Sequence, residues 1–175
     1  MSHIEKITGE LRALTAGVDR AQGLAAAADN QAQEVALRAA GAGFAAVAAG
    51  LARVRDAIAG IRGGLGGLAT TLGEASKATA AVPQEATPDE TTAGLTPVGT
   101  AIDGMRGAAA ATIAQVGEAQ RLVTTVLQGG QPGPLVQALE NVKQVLVLTV
   151  QRTGSARQSV DTAIAEARQL GSSGN

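Results

Sequence analysis

Residues 44–82 read FAAVAAGLARVRDAIAGIRGGLGGLATTLGEASKATAAV, and the spacing of their apolar side chains decides the fold. Phe44, Val47, Leu51, Val54, Ile58, Ile61, Leu65, Leu68, Leu72, Ala75, Thr79 and Val82 recur at alternating steps of three and four, with no charge among them. That period lays one continuous stripe along an α-helix, and an uncharged stripe of this length has to be covered by other helices.

A second stripe precedes the first. Ile4, Ile7, Leu11, Leu14, Val18, Ala21, Ala25, Ala28, Ala32, Val35 and Ala39 follow the same spacing, but their register is two residues out of step with that of 44–82. On one continuous helix that offset would swing the stripe by about 200°, to the opposite side. A turn at Gly41-Ala42-Gly43 removes the conflict and leaves two arms of nearly equal length, as an antiparallel hairpin requires. The alternatives are a break at Asp29-Asn30, where Asn30 could cap a new helix with Gln33 reaching back, and one long bent helix over 1–82.

The second half repeats the pattern. Ile102, Met105, Ala109, Thr112, Val116, Ala119, Val123 and Val126 make a third stripe, broadened by Ile113, Leu122 and Leu127. Gly129 to Pro134 forms a turn, with Pro134 suited to the opening of the next helix. The fourth stripe is Leu135, Leu139, Val142, Leu146, Thr149, Thr153, Ala156, Val160, Ala163, Ala167 and Leu170, ended by Gly171. Within it, Val145 to Val150 is apolar on all sides and is expected to be the most enclosed part of the chain.

Between the halves, Pro83, Pro88 and Pro97 bracket Thr, Glu and Asp, a composition that reads as an exposed linker over 83–97. Thr87-Pro88-Asp89-Glu90 inside it also has the form of a helix start. The expected architecture is therefore all-α: an elongated antiparallel bundle or coiled coil of about four long helices. Hairpins at 1–82 and 98–171 are joined by the linker, and a flexible tail follows at 172–175.

Gly60, Gly63, Gly64, Gly66 and Gly67 interrupt the 44–82 stripe, each costing up to about 1 kcal/mol relative to Ala. Such a run marks either a hinge or the close approach of another backbone. Phe44 is the only aromatic residue, and Trp and Tyr are absent. The core must be thin, and base stacking lacks its usual platform.

Charge is spread evenly about a formal net of −1, with no basic stripe, so nucleic-acid binding is not expected. The absence of cysteine excludes disulfides and thiolate metal sites. No apolar run approaches the roughly 20 residues that span a bilayer, and the N-terminus lacks the apolar core of a signal peptide. The cytoplasm is the default expectation, with non-classical export left open.

The residue types that do chemistry are sparse. His3 is the only histidine and lies next to a chain end. Glu5, Glu10, Glu34, Glu118, Glu140 and Glu166 could supply carboxylates, but a helical di-metal site needs Glu-x-x-His pairs and none occurs. Helix-spaced charges such as Asp103 with Arg106, and Arg12 with nearby Asp19, read as solvated faces. The glycine-rich segments 63–67 and 129–134 lack the Lys-Ser/Thr of a phosphate loop. No catalytic residue, metal site or cofactor is expected.

Membrane-surface binding by opened amphipathic helices is the rival to protein association. Only three lysines and one aromatic speak against it.

Three stretches, residues 43–58, 127–135 and 167–175, make the chain resemble an uncharacterised family of small Ala/Gly-rich helical actinobacterial proteins. That resemblance implies a lineage and no activity. The first hairpin is also similar in outline to the helical-hairpin substrates of type VII secretion. Their Trp-x-Gly turn and Tyr-x-x-x-Asp/Glu tail have no counterpart here.

The sequence thus points to a non-enzymatic scaffold or interaction module. It is expected to act by self-association, as a dimer, or by binding a helical partner, with Phe44, Val47, Leu51, Val54, Ile58 and Ile61 as the candidate association seam.

Overall fold

A computed structural model describes residues 2–174. Four helices account for most of them: α1 (His3–Gly41), α2 (Ala45–Ala80), α3 (Pro88–Val126) and α4 (Gly133–Ser173). Each packs against its neighbours in sequence, and α4 closes the ring against α1, while the diagonal pairs α1/α3 and α2/α4 stay apart at the backbone. The result is an up-down-up-down bundle of two hairpins.

The stripes read from the sequence form its core. Ile7, Leu11, Leu14, Val18 and the alanines 21, 25, 28 and 32 are buried on α1. They face the buried ridges Leu51–Ala75 of α2, Ile102–Val123 of α3 and Leu135–Ala167 of α4. Three and four residues per step hold a stripe on one side of each helix, and burying those side chains supplies the main driving force for assembly.

Caps fix where the helices begin. Ser2 and Thr87 each accept from the backbone N–H three residues on, and Glu5 and Glu90 return a bond to the cap backbone. The α1/α2 turn falls where the glycines suggested. Gly43 takes φ +85°, Gly43 N–H donates to Ala40 and Phe44 N–H to Ala39, the paired bonds of a Schellman ending. Asp29-Asn30 is not a break, and α1 runs through it.

Several expectations need correction. The segment 83–97 is not an exposed linker throughout, because α3 begins at Pro88 and only 81–87 connect the hairpins. The capping box at Thr87 starts the helix, and Leu95, Val98 and Gly99 are buried against the rest of the bundle. Packing there holds the helix through Pro97, which lies on the solvent face. Val145–Val150 is not uniformly enclosed: Val147 is 39% and Leu148 56% exposed, because a four-helix ring covers only the inward stripe of each helix. Gly171 does not end α4, which continues to Ser173 with the Ser172 and Ser173 hydroxyls bonded to the Gln169 carbonyl. Of the expected tail, Asn175 lies outside the described residues.

Candidate functional site

Phe44, Val47, Leu51, Val54, Ile58 and Ile61 separate into two groups. Leu51, Val54, Ile58 and Ile61 are fully buried among the chain's own helices and offer no outer surface. Phe44 does not continue the seam; it sits in the turn before α2, 63% exposed. Val47 is half-buried beside it. The reason is geometric: the Schellman turn redirects the chain at Phe44, so the α2 stripe begins one turn later.

The polar groups that could do chemistry are arranged as clasps between adjacent helices. Asp29 of α1 accepts from Arg55 of α2 at 3.0 and 3.3 Å, with Arg62 at 4.0 Å. That carboxylate raises the Arg55 pKa above its ordinary value. Arg157 of α4 reaches Asp103 of α3 and Asp161 of its own helix, each at 3.5 Å. Its guanidinium lies over Gly99, where a Cβ would come within 1.5 Å of Nη1. Gln120 of α3 donates to Glu140 of α4 at 2.9 Å and to the Val136 carbonyl at 3.3 Å. His3 pairs with Glu166 at 2.5 Å, tying the start of α1 to the end of α4.

The buried hydroxyls look inward but serve their own helices. Thr79 donates to the Ala75 carbonyl, Thr112 to Ala108, Thr149 to Val145, Thr153 to Val150 and Ser159 to Ser155. Among the described residues no buried side-chain polar atom lacks a partner, and no three His, Asp or Glu side chains gather as a metal cluster. Ser2 lowers the Glu5 pKa and Thr87 the Glu90 pKa, in both through the backbone N–H first and then the hydroxyl. Those two carboxylates are helix caps.

What remains is a set of open grooves between neighbouring helices. One, between α1 and α4, is lined by Ala13, Ala16 and Gly17 on one side and Val145, Leu148 and Thr149 on the other, with Arg20 and Arg152 at its edges. The sequence missed this surface because Leu148 was assigned to the core; its position off the Leu146–Thr149 stripe was the available signal. No described helix is long and apolar enough to cross a membrane.

No curated protein and no solved structure matches the chain. A family match begins just ahead of the Thr87 cap and ends within the last turn of α4, which agrees with α3 starting at Pro88. Residues 86–172, the second hairpin, match the model of the Family of unknown function (DUF6244).

Proposed function

We propose that the protein is a non-enzymatic helical interaction module that associates through the outside of a closed bundle, with a second copy of itself as the first partner to test. The observation that carries this reading is the enclosure of Leu51, Val54, Ile58 and Ile61 by the chain's own helices. Association through the core stripes would require the bundle to open, so contact has to use outer surfaces. The α1/α4 groove suits a helix: small residues on α1 allow close approach, and Leu148 stands 56% exposed beside them.

Antiparallel pairing of two copies about Leu148 would set Arg152 of one opposite Gln144 of the other rather than opposite a second Arg152. Light-scattering mass of the native chain and of Leu148→Glu tests the reading. A dimer lost in the variant at unchanged helicity supports it. A native monomer at high concentration, or a dimer indifferent to Leu148→Glu, rejects it.

A further inference from the structure

We infer that one end of the bundle, formed by the 42–44 turn and the 127–132 loop, docks onto an anionic lipid surface. The alternating helix directions bring these two connections to the same end, where Val126 of α3 packs on Gly50 of α2. Between Ala39 and Ala52 no side chain is polar, and between Leu122 and Leu139 none is charged. Helix connections normally carry polar turn residues because water surrounds them. Here the only aromatic side chain of the protein is 63% exposed at the tip, and Leu37 is 66% exposed just behind it.

Charge borders this apolar end on the side that suits anionic headgroups. Arg38, Arg53 and Arg121 are the first charged residues along α1, α2 and α3 away from the tip, and all three are exposed. None makes an ion pair within 4.0 Å among the described residues. Glu140 is the one acid at this border and is held by Gln120; Glu34, Asp56 and Glu118 lie a further turn back. The opposite end holds Glu5, Glu85, Asp89 and Glu90 beside Lys6, Lys77 and Arg168, a mixed border with more acid.

Depth agrees as well. Arg38 lies three residues before Gly41, where α1 ends, about 5 Å along the helix, against the 5–10 Å to which interfacial helices sink. The first N–H groups of α2 have no capping side chain from Phe44 and point out of this end, where phosphate oxygens can accept from them. A second copy fits worse, since two such ends face to face would bring their arginine belts together. The inference goes beyond the α1/α4 contact and uses a different surface.

The test uses the full chain with vesicles of phosphatidylcholine, alone or with phosphatidylglycerol. The chain has no tryptophan, so Phe44→Trp at the tip and Leu170→Trp at the far end are clean reporters. Binding is expected only with phosphatidylglycerol, with a blue shift for Phe44→Trp and none for Leu170→Trp. Phe44→Glu should abolish binding at unchanged helicity. Arg38→Gln with Arg53→Gln should weaken it about thirtyfold, and added salt should weaken it further.

No binding to either vesicle, equal shifts at both reporters, or a Phe44-dependent dimer without lipid would overturn the inference. Leu148→Glu should leave vesicle binding intact, which separates this result from the fate of the side-groove reading.

Discussion

Gly99 on α3 lies directly beneath the guanidinium of Arg157 on α4, so close that a methyl group at 99 and the present Arg157 conformation cannot coexist. Gly99→Ala should therefore displace Arg157 from Asp103. Because Arg157 is partly exposed, the loss should be modest, about 1 kcal/mol in urea unfolding. In an Arg157→Ser background the same substitution should become neutral or stabilising, since only the helix preference for Ala remains. Additive effects in the double-mutant cycle would show that the two residues are not coupled.

The core stripe and the turn should respond in opposite ways. Ile58→Ala should cost about 2–5 kcal/mol, and Val54→Asp with Ile58→Asp should abolish the folded state, read by far-ultraviolet circular dichroism. Phe44→Ser should leave the melting temperature nearly unchanged, because most of that ring already faces water. A large loss of stability for Phe44→Ser would place the ring in the core after all.

The α2 glycines divide by what lies over them. Nothing stands within 4 Å of a Cβ built at Gly60, Gly63 or Gly67, so each change to Ala should stabilise by about 0.5–1 kcal/mol. Gly50 and Gly64 lie under Val126 and the Thr112 hydroxyl, each 2.7 Å from such a Cβ, and their alanine variants should lose stability instead. Thermal melts of the five single variants decide this. A loss at Gly60 or Gly63 would mean that another backbone covers that face.

Acid should loosen the helix starts. The folded-state pKa values of Glu5 and Glu90 lie below their ordinary 4.5. Their contribution is complete above pH 4.5 and is lost as pH falls through the lowered values. Glu90→Gln keeps a neutral capping partner, and its stability should fall less steeply below pH 4.5 than that of the native chain. Parallel slopes in acid for the two proteins would remove Glu90 from this account.

Much of this architecture was legible because apolar spacing speaks directly about which side of a helix is covered. The α2 stripe from Leu51 to Thr79 and the α4 stripe from Leu135 to Ala167 are buried residue for residue. The Gly43 turn followed from a register conflict that a reversal at the glycines resolves. Local composition misled at 83–97, where prolines and acids looked like a linker while Leu95 was already a core position of α3. It misled again at Val147 and Leu148, since hydrophobicity alone does not say how much of a helix its neighbours can cover. The candidate surfaces were harder to see, because Leu148 and Phe44 become distinctive only when the enclosure of everything around them is known.

The buried threonines have one more consequence. Each directs its proton to its own backbone, so no hydrogen bond from these hydroxyls specifies which residue of the next helix should stand opposite. Alignment along the rods has to be set by bumps seated in hollows, Val126 over Gly50 and Thr112 over Gly64, together with the charged latches at the rim. The bundle works like a vernier: a slip of one notch would leave its greasy interior almost unchanged while every index mark went out of line.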